Sequence, residues 1–112
     1  MKYMLMLASD VAYRADVEDA ALETGCGNWS EELSRRGQLL RSEGLRPSTD
    51  ATTVRVRSGD VLLTDGPFAE TKDQIGGFSL IEAADLDEAL DLAAKHPWAA
   101  VGKIEVRPVW EP

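Results

Sequence analysis

Residues 3–8 read Tyr-Met-Leu-Met-Leu-Ala, apolar at both the odd and the even positions. Such a run is too short for a helix of useful length, and a strand with no polar parity has to bury both faces. Any fold built on it therefore holds that strand inside a sheet with something against each side. At 112 residues the chain has room for one domain, read here as 1–112. A domain of this size buries roughly two-thirds of its unfolded surface, enough for one core without staples. With 44% hydrophobic and 29% charged residues, disordered, collagen-like and coiled-coil classes are set aside.

The rest of the chain punctuates itself. Asp10 to Gly27 is weakly patterned and stops at Gly25-Cys26-Gly27, which predicts a loop with two helical turns at most. Asn28 before Trp29 and Glu31 is an N-cap signal. It opens a short helix that puts Trp29, Leu33 and the stem of Arg36 on one face and ends at Gly37. Leu39-Leu40 predicts a short strand or an extended connection. Val54 and Val56 alternate with Arg55 and Arg57, and Val61 to Thr64 follows across Ser58-Gly59-Asp60, the pattern of a β-hairpin. After the turn cluster Asp65-Gly66-Pro67-Phe68, the polar stretch Glu70 to Gln74 predicts one helical turn. Gly76-Gly77 then leads into a strand, Phe78 to Ala83, with Phe78 and Leu80 on one side.

The best-specified element comes next. Asp85 caps a helix with Glu88 at its third position; Leu86, Ala89, Leu90, Ala93 and Ala94 keep helical spacing, and Pro97 closes it. Lys103 to Val109 alternates again, with Ile104 and Val106 inward and Arg107 pointing away. The order is β-α-β-β-α-β with an inserted β-hairpin, which predicts a ferredoxin-like α+β sandwich. Two helices cover one face of such a sheet. One parity of the first strand, either Tyr3, Leu5 and Leu7 or Met4, Met6 and Ala8, then needs a partner, and the nearest partner for one gene product is a second copy, so a homodimer is expected.

Charge and composition exclude several functions. Twelve Lys and Arg against twenty Asp and Glu give a net charge of −8, which disfavours nucleic acid. Six of the basic residues lie between Arg35 and Arg57, opposed there only by Glu43 and Asp50, so that segment is +4 and the remainder −12. It is either a solvated surface or a contact for an anion or another protein. No run approaches a membrane span, and the start is too weak for a secretory leader, so a soluble cytoplasmic protein is expected. One cysteine, Cys26, and one histidine, His96, leave no multi-Cys or His-rich metal site, and neither metal nor cofactor is expected.

Among the remaining polar groups, Asp65 suits either a general base or ligand acceptor, or a turn aspartate bonding its own backbone. Gly66 and Pro67 shape the backbone. Phe68 is a pocket wall or core. Lys72, with Glu70, either clamps an anion or is solvated, and Arg107 either reaches the cleft or pairs with Glu82 or Glu105. His96 beside Pro97 bonds the last helical carbonyls or serves a catalytic role. Nothing charged enough stands beside Cys26 to make it a reactive thiolate.

Taken together, Asp65-Gly66-Pro67-Phe68, the following Glu70-Thr71-Lys72, Gly76-Gly77-Phe78, Asp85-Leu86-Asp87-Glu88-Ala89 and Glu105-Val106-Arg107-Pro108-Val109 are similar to the DGPF branch of the YCII-related proteins. The likeness runs from Met1 to the C-terminus. It implies a dimeric α+β barrel with a cleft between sheet and loops, in a family whose members mostly lack an assigned reaction. It also implies frequent encoding beside extracytoplasmic-function sigma factors. Some members carry a His-Asp pair proposed as an acid-base dyad, and one relative type acts on chlorinated aromatics. The dyad histidine would fall in the first helix, where this chain has Trp29-Ser30-Glu31-Glu32-Leu33, and its aspartate just before Pro97, where this chain has His96.

Three readings of function follow. The first is a homodimeric small-ligand-binding or regulatory module without turnover, its cleft lined by Tyr3, Asp65, Phe68 and Phe78. In the second, a general acid-base enzyme acts on a small substrate, aromatic or otherwise, with Asp65 as base and Lys72 or Arg107 holding charge. The third is a structural partner for another protein, docking through the Arg35 to Arg57 segment.

Overall fold

The computed structural model describes residues 1–10, 18–68 and 73–111. The apolar run is strand β1 (Lys2–Ala8). It is followed in sequence by α1 (Asp19–Arg35). The further elements are β2 (Leu39–Gly44), β3 (Thr52–Arg57), β4 (Asp60–Asp65), β5 (Ile75–Glu82), α2 (Leu86–Ala94) and β6 (Lys103–Pro108). The main sheet is antiparallel in the order β2-β5-β1-β6, which agrees with a ferredoxin-like arrangement, and β3 and β4 form a separate two-stranded ribbon.

Both helices pack on one face of the sheet. Trp29 and Leu33 from α1 and Ala89, Leu92 and Ala93 from α2 join Tyr3, Leu5 and Ile81 in one core. The odd parity of β1 therefore faces the helices, and Met4, Met6 and Ala8 lie on the other face, partly buried. Register sets that open face in two rows. Met4 stands between Leu80 and Arg107, with Arg41 beyond Leu80; Met6 stands between Phe78 and Glu105, with Glu43 beyond Phe78. Apolar pairs thus fill the centre of both rows, and the edges carry arginine in one row and glutamate in the next.

Two helix predictions are corrected. The first helix does not begin at Asn28 but runs through Gly25-Cys26-Gly27 from Asp19. Tertiary packing outweighs the glycine penalty here: a Cβ on Gly25 would sit 2.8 Å from Pro97 Cγ, so only glycine lets the helix approach that turn. Its end is as expected. Gly37 takes φ +73°, its N–H donates to the Ser34 carbonyl (3.1 Å), and the Gln38 N–H donates to the Leu33 carbonyl (2.8 Å), a Schellman closure. In α2, Asp85 accepts from the Glu88 N–H as predicted (2.9 Å), but the buried stripe is Ala89, Leu92 and Ala93, while Leu86 and Leu90 are each 46% exposed.

Candidate functional site

At the end of β2 the chain leaves the main sheet and returns to it at Ile75. The polar groups of this insertion are tied at its root. The Leu45 N–H donates to the Gly76 carbonyl (2.9 Å), and a 3-10 turn at Ser48–Asp50 is closed by the Asp50 N–H on the Pro47 carbonyl (2.8 Å). The ribbon is clasped from below: Gly66 N–H donates to the Ala51 carbonyl and Thr53 Oγ1 donates to the Gly66 carbonyl, both at 2.8 Å. Gly66 bends the chain with φ +100°, where a side chain would be strained, and Pro67 fixes the next φ.

Between these loops lies a cleft of about 560 Å³. Leu45, Pro47, Ala51, Pro67, Phe68 and Ile75 form its apolar walls, and Arg46, Asp50, Thr53 and Asp73 stand among the polar lining. Arg46 Nε donates to Asp50 Oδ2 at 2.9 Å, and Lys103 Nζ reaches Asp73 Oδ2 at 2.5 Å. The hydrogen bond to Asp73 raises the Lys103 ammonium pKa above its usual value. Phe68 stands at the wall with 89% of its surface exposed.

The structure brings only part of the expected site together. Pro67 and Phe68 line the cleft, with Gly66 shaping the turn beneath them. Asp65, the last residue of β4, is exposed, pairs across from Thr52 and lies outside the lining. Tyr3 is 2% exposed in the helix-side core, whereas Phe78 lies on the opposite face of the same sheet, so the two do not share a cleft. Their grouping is corrected for that reason. Arg107 lies on the open face beside Met4 and pairs with Glu105, not with Glu82. Lys72 and Glu70, and the helical turn predicted around them, lie outside the described residues. The Leu45 to Thr53 wall was not foreseen. Its one sequence signal is Pro47 followed by Ser48 and Asp50, a turn signature with no chemical content.

His96 and Cys26 are both in the helical layer. His96 is 4% exposed, and its Nδ1 accepts the Trp98 N–H at 3.0 Å, so it caps the 3-10 turn Pro97–Ala100 and bonds none of the α2 carbonyls through that atom. Burial lowers its pKa. Burial likewise raises the pKa of the Cys26 thiol, which is free and sits within α1. Where the resemblance implies a His-Asp dyad, the first helix has Trp29 to Leu33 and His96 precedes Pro97; of these, Trp29 and His96 are in a buried ring contact. Among the described residues no cluster of three or more His, Cys, Asp or Glu could hold a metal ion, and no helix is long and apolar enough to cross a membrane.

A model of the YCII-related domain matches residues 1–112. The chain belongs to the YCII-related family. Over 80 residues it is 51% identical to an uncharacterized protein of Rhizobium meliloti (strain 1021), an overlap that covers 70% of this chain and 62% of that one. The match thus spans less than two-thirds of the curated relative. For this YCII-related chain, family membership supplies the fold and leaves the chemistry to the cleft.

Proposed function

We propose that the chain is a homodimeric small-ligand-binding or regulatory module of the DGPF branch, working in the cytoplasm without turnover, its ligand held in the cleft at the root of the β3–β4 ribbon. The observation that carries this reading is the makeup of the cleft: about 560 Å³, walled by Leu45, Pro47, Pro67, Phe68 and Ile75, with its charges in the Arg46–Asp50 pair and in Asp73, which Lys103 holds. Hollows of roughly 300–1,000 Å³ with apolar walls and a few fixed polar groups suit small organic ligands. Such a site selects for shape and apolar surface first. A carboxylate on the ligand gains Arg46 only by competing with Asp50. The branch assignment is supported by the Asp65 to Phe68 tetrapeptide, whose Pro67 and Phe68 supply one wall. The regulatory side rests on the sigma-factor context that the resemblance implies. The acid-base reading lacks such support, because a substrate in the cleft would not meet Asp65.

The homodimer is supported by the open face. A two-fold axis lying between two such faces, across the strands and level with Leu5, sets each arginine row over the partner's glutamate row, Arg41 over Glu43 and Arg107 over Glu105. Leu5 is at the middle of β1, so this axis also overlaps the two sheets fully. An axis along the strands would set arginine over arginine.

Thermal-shift screening with small aromatic and aliphatic carboxylic acids tests the ligand reading, with light scattering for the dimer. A hit that raises the melting temperature, and loses that effect in Phe68→Ala, is expected. The phenyl group is exposed, so its removal leaves the fold intact. A ligand bound away from this cleft in a crystal overturns the assignment, and a mass of 12.2 kDa at all concentrations overturns the dimer.

A further inference from the structure

Among the described residues the β3–β4 ribbon pairs with no other strand, and by register one of its faces carries Val54 opposite Leu63 and Val56 opposite Val61. All four are 56–67% exposed. An isolated two-stranded ribbon is marginal in water, and a contiguous apolar patch on one needs a cover. None of the other described residues supplies it. The molecule is a slab of 47 × 41 × 21 Å, as thin as one sheet under one helical layer, and its radius of gyration is 16.0 Å where a compact chain of this length has about 13 Å.

A second uncovered group stands at the far end of the sheet. The insertion bearing the ribbon leaves from the edge where Gly44, Ala8 and Lys103 lie. Trp110 follows β6 at the opposite edge, where the Val109 N–H donates to the Lys2 carbonyl at 2.9 Å, and it is 97% exposed. Among the described residues, Trp110, Phe68 and the four ribbon side chains are the most exposed large apolar groups.

We propose that the ribbon is an arm whose Val54, Val56, Val61 and Leu63 face packs against the partner subunit's Trp110 in a second copy of this chain. The inference rests on the homodimer argued above, whose axis chooses the occupant. With that axis across the strands, the ribbon end of one sheet lies over the Trp110 end of the other, and the contact occurs twice. Area points the same way. A specific interface needs about 800 Å² per partner, and Met4, Met6, Phe78 and Leu80 on the sheet face are already partly buried within the protomer. Arm and indole bring the surface that is missing.

Sedimentation equilibrium of the full chain tests this with Val56→Lys/Leu63→Lys and with Trp110→Ala, all at positions already exposed, so that the protomer still folds. Each should raise the dimer dissociation constant about tenfold or more. A Cys26→Ser chain carrying both Thr64→Cys and Glu111→Cys, exposed neighbours that leave Leu63 and Trp110 in place, should give covalent dimers with a short bismaleimide, since within one chain the ribbon and Trp110 are separated by the length of the main sheet, roughly 20 Å. If the wild type dimerises but the Lys and Ala variants keep its dissociation constant, or if Thr64→Cys alone cross-links, the arm contact is overturned and the homodimer stands. A wild type that stays monomeric overturns both.

Discussion

The indole of Trp29 and the imidazole of His96 are in contact, with ring centroids 4.5 Å apart and planes inclined by 58°. Each ring is also anchored by a polar atom. Trp29 Nε1 donates to the Leu92 carbonyl (2.9 Å), and His96 Nδ1 accepts from the Trp98 N–H, which leaves the proton of the neutral ring on Nε2. The pair joins α1, the end of α2 and the turn after it, so its work is packing and capping. A proton-transfer pair needs a group able to take the proton from the imidazole, and an indole is not one.

The same contact makes stability depend on pH. Burial holds the folded imidazole below its ordinary value of about 6.5, the value the unfolded chain regains. Above that pH both states are neutral and the stability is fully present. As pH falls below it the unfolded chain binds the proton first, and stability is lost until the folded ring titrates as well. Melting temperature should therefore drop from pH 7.5 to pH values below about 6.5, beyond the loss shown by His96→Asn, a residue that can still cap the turn. Parallel curves for the two proteins would remove the histidine from this account.

The two glycines inside α1 should respond in opposite directions to alanine. At Gly27 a Cβ meets nothing within 4 Å, so Gly27→Ala should stabilise by about 1 kcal/mol through helix propensity alone. At Gly25 the same change drives a methyl group to 2.8 Å from Pro97 Cγ. Overpacking of that kind costs about 1–3 kcal/mol, which cancels or exceeds the propensity gain. Urea unfolding of both variants checks the sign of each change.

This contrast explains which parts of the fold were legible. Period-two strands and the capped helix α2 announce themselves locally, and so does the ribbon, predicted at Thr52 to Arg57 and Val61 to Thr64 and found at Thr52–Arg57 and Asp60–Asp65. Of the glycines in α1, Gly25 answers to Pro97, far away in sequence, and local pattern reads Gly25-Cys26-Gly27 as a stop. The cleft was lost for a related reason. With β1 apolar at both parities, nothing local says whether Tyr3 or Met4 faces the helices, and Tyr3 was assigned to a cleft that lies elsewhere. The actual wall from Leu45 to Thr53 is loop, where periodicity gives no signal.

Cys26 should be a slow nucleophile. Partial burial raises its thiol pKa, so the thiolate fraction at neutral pH is below that of a free cysteine. Iodoacetamide should label it more slowly at pH 7 than it labels a short unfolded peptide with the same sequence, and the rate should climb on unfolding in urea. Labelling of the folded protein at the peptide rate would contradict the burial.

The two rows of the open face allow a test of the dimer axis at constant net charge. Arg41→Glu with Glu43→Arg exchanges the signs along one edge strand, and with the axis across the strands position 41 still meets the partner's position 43, so attraction persists. Arg41→Glu with Glu105→Arg also leaves the charge at −8. Yet it sets glutamate 41 over glutamate 43 and arginine 107 over arginine 105, each twice per dimer. Like charges so placed oppose association, while the first exchange only reorients existing pairs. The second variant should therefore dimerise about tenfold or more weakly than wild type at low salt, and the difference should shrink as salt screens the edges. The first should remain close to wild type. If the axis ran along the strands, Arg41 would face the partner's Arg107, and both exchanges would tighten the dimer. Analytical ultracentrifugation of the three proteins at two salt concentrations separates these outcomes.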